Sequence, residues 1–136
     1  IRDCCLARGL GGGYKGQGIS VSRTAEYLYE NVPETTRIAA ETLGLASSPR
    51  ADQLHISDRF VGEGYGACTP QAHEAIALVA GLEGVLLDPV YSGKSMAGLI
   101  AAVREGVFSR DDEVIFLHTG GFPALFAYEK QMVAGV

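Results

Sequence analysis

At 136 residues and 47% hydrophobic content, the chain has the size of one domain and enough apolar material for a core. A net charge of −5 argues against a sequence-independent binder of phosphate backbones, and no run of Lys or Arg reverses the sign. No apolar run approaches the roughly 18 residues of a membrane span, and the first residues lack a signal-peptide layout. Cys4, Cys5 and Cys68 have no disulfide-framework spacing, so reduced thiols in a cytoplasmic protein are expected.

The chain opens on IRDCCLARGLGGG, which reads as the tail of a helix running into glycines, a pattern met in its middle. A fragment, a processed product or a partly recorded gene would begin in this way. Gly11-Gly-Gly-Tyr-Lys-Gly16 has the letters of a G-x-G-x-x-G fingerprint. With a helix expected before it and a strand after it, the order is wrong for dinucleotide binding, and a helix-to-strand turn is the better account.

Four β-type runs follow: Gly18–Ser22, Gln53–Ser57, Gly84–Asp88 and Glu113–Thr119. The last two are nearly continuously apolar, as in strands covered on both faces. Between them lie helical patterns. Thr24 to Leu43 is amphipathic but holds Pro33, which predicts two helices or one kinked helix. Thr69-Pro70 is an N-cap and N1 pair, with the helix running to about Ala80 and stopping at Gly81. Ser92 or Gly93 opens the next helix, whose Met96, Leu99, Ile100 and Val103 form one buried stripe, and Gly106 closes it in a left-handed cap. A last helix begins near Pro123.

Alternating strands and helices imply a three-layer αβα fold with a mainly parallel sheet. Ligand sites in such sheets lie at the carboxyl ends of strands, where Asp88–Ser95 and His118–Gly121 fall. Gly93-Lys94-Ser95 has the end of a P-loop, but Asp88 stands where that motif needs glycine, so triphosphate binding is rejected. Lys94 as a covalent catalyst competes with a structural or surface lysine. A cation in a first helical turn opposes the macrodipole, and nearby Asp88 is the expected reason it is tolerated. His55, His73 and His118 are isolated and Cys68 has no second ligand pair, so no zinc site is expected. His118 reads as a buried strand-end residue with its ring satisfied by backbone. Thr119-Gly120-Gly121 divides evenly between a tight turn and a close backbone approach to a ligand. Tyr65, in Gly62-Glu-Gly-Tyr-Gly66, reads first as a solvent-facing loop residue. Together these residues describe an apolar-walled pocket for a small polar ligand, and no named reaction follows from them alone.

The stretches LLDPVYSGKSMAGLI (86–100), VIFLHTGG (114–121) and PALFAY (123–128) resemble the D-cysteine desulfhydrase / 1-aminocyclopropane-1-carboxylate (ACC) deaminase family. These are pyridoxal-phosphate (PLP) enzymes of the tryptophan synthase β type. The likeness runs from about Ile19 to Tyr128 through Ser20-Val-Ser-Arg23, Gly64-Tyr-Gly66 and Gly81–Asp88. It implies part of the larger domain of a fold-type II PLP enzyme, with the cofactor in a cleft between two domains. Tyr91 is then the substrate-facing, proton-handling residue and Tyr65 the second active-site tyrosine. Ser92, Thr119 and Gly120 become cofactor-binding positions. Deaminases of this family usually carry glutamate where Ser92 stands, and leucine where Thr119 follows His118. Both differences point to the desulfhydrase branch: α,β-elimination of D-cysteine to pyruvate, hydrogen sulfide and ammonia. ACC deamination and cysteate sulfo-lyase activity are the neighbouring alternatives. The family's Schiff-base lysine and phosphate loop match nothing here, and Lys15, Lys94 and Lys130 lie outside the lysine's context. Residues 1–136 are therefore expected to be one partial domain, the C-terminal portion of a homodimeric enzyme acting on a small amino acid. A non-catalytic remnant or interaction module without cofactor is the alternative from another class.

Overall fold

The computed structural model describes residues 4–8, 15–48 and 50–133. Two short strands come first, β1 (Cys4–Arg8) and β2 (Lys15–Ile19). They pair antiparallel, so Cys4–Arg8, expected in a helix tail, is instead a strand. The segment between them, 9–14, with most of the glycine-rich turn expected over Gly11–Gly16, lies outside the described residues. β2 ends at Ile19, three residues before the expected Ser22, because Ser20 starts a side-chain-stabilised turn. Its hydroxyl accepts from Arg23 N at 3.0 Å and donates to Arg23 O at 2.6 Å.

Helix α1 (Ala25–Thr42) follows, with Thr24 Oγ1 accepting from Tyr27 N as its N-cap. It runs as one helix through Pro33, so of the two forms expected the two-helix one is not met. A proline removes one donor, and only Leu28 and Ala40 of α1 are buried, so water can serve the carbonyl left over. After a short 3-10 turn, β3 (Leu54–Ser57) pairs parallel to β2. Tyr29 of α1 closes the outer edge of β3: its hydroxyl accepts from Ile56 N at 2.9 Å and donates to Leu54 O.

Helix α2 (Pro70–Glu83) starts on the Thr69 cap and passes Gly81 to end at Gly84, which takes the left-handed φ of 67°. Helix α3 (Ser92–Arg104) closes at Gly106 (φ 72°), with Val107 N donating to Ala102 O. β4 (Val114–Phe116) pairs antiparallel with β1, and α4 (Ala124–Ala127) and α5 (Glu129–Val133) are the last described elements. The sheet order is β3-β2-β1-β4, and of its three described pairings only β2–β3 is parallel, where a mainly parallel sheet was expected. Residues 84–88, expected as a strand, are not one: among the described residues no strand forms a ladder with them.

α3 packs on β1 and β2, α2 packs on α3, and α1 lies against β3. Ile19, Phe60, Ala75 and Ala97 form the core, with Met96, Leu99, Ile100 and Phe116 packed around them. Val103, the last residue of the expected stripe, is exposed. The fully sequestered face of α3 is made of small residues and Lys94. Gly98 allows the closest approach, since a Cβ there would meet Ile19 Cδ1 at 2.6 Å.

Candidate active site

Between β3 and α2 the chain turns through Gly62, Gly64 and Gly66, all at positive φ (68°, 139° and 81°). Gly62 is also sterically required, because a Cβ would lie 2.5 Å from Thr69 Cγ2. This loop lifts Tyr65 to 64% exposure while the carbonyls on either side of it turn inward. Lys94 Nζ donates to Val61 O at 2.7 Å and Gly64 O at 3.1 Å, and lies 3.4 Å from Val21 O. On the far side, Tyr128 Oη donates to Gly66 O at 2.6 Å.

The turn into α3 is organised by Asp88, which is fully buried. Its Oδ2 accepts from Val90 N (2.8 Å) and Tyr91 N (2.7 Å). Its Oδ1 accepts from the amide (2.7 Å) and hydroxyl (2.6 Å) of Ser92. A carboxylate on the first N–H groups of a helix satisfies orphan donors and suits the dipole. Asp88 thus does the capping, with no help from the side chain of Tyr91 at the N-cap position. Tyr91 is left facing Tyr65: their hydroxyls are hydrogen-bonded, and the rings meet edge-on with centroids 5.9 Å apart. Ser92 is fully buried, its hydroxyl donating to Asp88 Oδ1 and accepting from Asp88 N at 2.8 Å, which leaves one lone pair unspent.

The third piece is the turn after β4. His118 is exposed rather than buried, yet its ring is satisfied by backbone as expected. Nδ1 accepts from Gly120 N at 3.0 Å, which makes Nε2 the protonated nitrogen, donating to Leu86 O at 3.0 Å. Gly120 and Gly121 have φ of 95° and 98°. A Cβ on Gly121 would strike Asp88 Oδ1 at 2.8 Å, so the glycine turn is pressed against the 88–92 turn. A Cβ on Gly120 would meet nothing within 4 Å, so this position borders open space that a ligand can enter, with Thr119 exposed beside it. Gly120 offers that space and its carbonyl, since its N–H is spent on His118.

Lys94 is neither a surface lysine nor paired with Asp88, whose carboxylate is used on α3. Its side chain is fully buried, and burial lowers its pKa below the ordinary value. The Cys68 thiol is shifted upward by burial, with the positive charge of Lys94 pulling the other way. Cys68, Glu63 and His73 border a cleft of about 600 Å³ beside the start of α2. Among the described residues no group of His, Cys, Asp and Glu is arranged to hold a metal, and no helix is long and apolar enough to cross a membrane.

Tyr65 and Tyr91 are therefore brought together, and Thr119 and Gly120 stand on a turn seated against the segment that carries Tyr91 and Ser92. Sequence reasoning missed Asp88 as the organiser of this turn. An Asp-Pro followed by a serine at the fourth position is a legible local signal for it. Lys94 and Tyr128, which grip the Tyr65 loop from distant elements, left no such signal.

The αβα arrangement is that of part of the larger domain of a fold-type II PLP enzyme. A crystal structure described as an ACC deaminase homologue superposes with a TM-score of 0.71 at 30% identity, covering 88% of this chain and 35% of that one. A model of the family described as pyridoxal-phosphate dependent enzyme matches residues 14–120, and the chain belongs to that family. D-cysteine desulfhydrase of Salmonella newport (strain SL254) is 41% identical over 115 residues, 85% of this chain. The enzyme of the same name from Salmonella typhi gives the same figures. The chain spans 34% of the length of these curated relatives.

Proposed function

We propose that this chain is the C-terminal share of a PLP-dependent lyase that eliminates hydrogen sulfide from D-cysteine, water then releasing pyruvate and ammonia. The observation that carries the reading is the hydrogen-bonded Tyr65–Tyr91 pair, two phenols from separate elements. Likeness to D-cysteine desulfhydrases supports the substrate, as do Ser92 and Thr119 at the positions where the deaminases differ.

PLP, when bound, supplies an electron sink for the pair left when an amino acid loses its α-proton. The residues present fit one side of such a group: the open space over Gly120, the Thr119 hydroxyl and the unspent lone pair of Ser92. A serine acceptor stabilises a ring N–H less than a carboxylate does, which suits an elimination with modest carbanion demand. Tyr91 would hold or move a proton at the substrate, and Tyr65 would orient its hydroxyl. A cytoplasmic homodimer completes the reading; exposed Leu82 and Phe126 support association with further protein surface.

One observation favours a second reading, in which this chain alone holds no cofactor. Lys94, the buried lysine, has its ammonium committed to backbone carbonyls and offers no covalent anchor. The test uses this chain and the same chain extended to the length of its relatives. The extended protein should give a visible absorption band with PLP and pyruvate from D-cysteine. If it gives neither, the lyase reading fails. A band and pyruvate from the 136 residues alone would remove the second reading. In the extended protein, Ser92→Glu should shift preference toward ACC; an unchanged ratio would remove Ser92 as the discriminator.

A further inference from the structure

We propose that Lys94 is a positioning residue that fixes the Tyr65 loop to the first turn of α3 through backbone carbonyls and so sets the Tyr65–Tyr91 contact. The importance given to that contact rests on the functional reading above; the positioning itself does not.

Tyr65 stands between three glycines at positive φ, a loop with little conformational preference of its own. Within it Ala67 N donates to Gly64 O at 3.3 Å, and the other anchors come from distant elements. On the N-terminal side, the Lys94 ammonium takes the carbonyls of Val61 and Gly64. On the C-terminal side, Tyr128 takes the carbonyl of Gly66. Tyr65 is the residue bracketed by these anchors. Lys94 is three residues from Tyr91 on the same helical turn, so one short stretch carries both the second phenol and the grip on the first. Val21 O, at 3.4 Å from Nζ, ties the end of β2 into the same knot.

The chemistry suits this role better than a nucleophilic one. An ammonium has three donors and no acceptor, and three carbonyl oxygens face it at 2.7, 3.1 and 3.4 Å. Charge-assisted bonds of this kind are stronger than neutral ones. Acting as a nucleophile would require loss of a proton and of at least one carbonyl contact. Placing this cation in a first helical turn runs against the macrodipole, and the side chain escapes that conflict by reaching away to the loop.

The test reads the full chain by NMR, with neither cofactor nor turnover, so it succeeds or fails independently of the lyase reading. In the wild type the Tyr65 and Tyr91 rings should show mutual nuclear Overhauser contacts, as expected for centroids 5.9 Å apart. Lys94→Met, which keeps bulk and removes the donors, should abolish those contacts. It should also speed amide exchange of residues 62–66 by at least about tenfold, while amides in the middle of α2 and α3 stay protected. Retained ring contacts with unchanged loop exchange would overturn the proposal. Should Lys94→Met fail to fold, Lys94→Gln, which keeps a neutral donor, is read in the same way. Global unfolding of both would also overturn it, because the lysine would then support the whole fold rather than this loop.

Discussion

Asp88 and Ser92, four residues apart and both fully buried, are joined twice through the Ser92 hydroxyl. Ser92 Oγ donates to Oδ1 at 2.6 Å and accepts from the Asp88 amide at 2.8 Å. With three backbone N–H groups also on the carboxylate, this closed ring of bonds sets where α3 begins and where Tyr91 points.

Asp88→Asn keeps the shape and converts one acceptor into a donor facing N–H groups. It should cost about 2–4 kcal/mol in urea unfolding, as expected for a disrupted buried charge-assisted network. Ser92→Ala removes one donor and one acceptor and should cost about 1–2 kcal/mol. The double variant should fall short of the sum, because each change breaks the same bonds. Additive costs would show that the two residues act separately.

Gly121 and Gly120 share a left-handed backbone but not an environment. Alanine at Gly120 meets only the conformational penalty, about 1 kcal/mol. Alanine at Gly121 adds a collision with Asp88 Oδ1 at 2.8 Å and should cost about 1–3 kcal/mol more. Thermal unfolding of the two variants side by side isolates the packing of the glycine turn on Asp88. Equal melting temperatures would mean that the two turns are not pressed together.

Thr69 has two jobs, capping α2 through Ala72 N at 3.1 Å and packing its methyl group over Gly62. Thr69→Ala should cost about 1 kcal/mol through the lost cap, and Thr69→Ser should recover most of it. Helical circular dichroism during denaturation measures both. A serine variant as unstable as alanine would place the main contribution in the methyl contact.

The legibility of these features follows the range of the forces behind them. The Thr69-Pro70 start of α2 and the Gly106 stop of α3 were readable because each is decided within a few residues. The apolar run Val85-Leu-Leu87 read as a strand, but a strand exists only where a partner completes its ladder. Cys4–Arg8 read as a helix tail because its strand character comes from pairing with both β2 and β4. Family resemblance brought Tyr65 and Tyr91 forward together, which their 26-residue separation alone does not do. Lys94 shows the limit: the expected partner was nearby Asp88, yet its ammonium goes to a loop about thirty residues upstream.

Cys68 and Lys94 give the protein two opposed alkaline titrations. Burial raises the Cys68 pKa above 9.0, so just above that pH the folded chain keeps a proton that the unfolded chain has lost. Its contribution to stability is full below 9.0 and is lost as pH rises through the folded value. Lys94 runs the other way. Its folded pKa lies below 10.5, so between the two values the unfolded chain binds the extra proton and stability rises with pH. Cys68→Ala should therefore remove a falling limb and leave the variant relatively more stable than wild type as pH climbs past 9.0. In the wild type, iodoacetamide labelling of the Cys68 peptide, followed by mass spectrometry, should be slow near about pH 8 and still rising above 9.0. Lys94→Gln removes the charge that favours the thiolate and should push that rise to higher pH still. A labelling profile that levels off below 9.0 would show Cys68 to be free of the burial that the fold imposes on it.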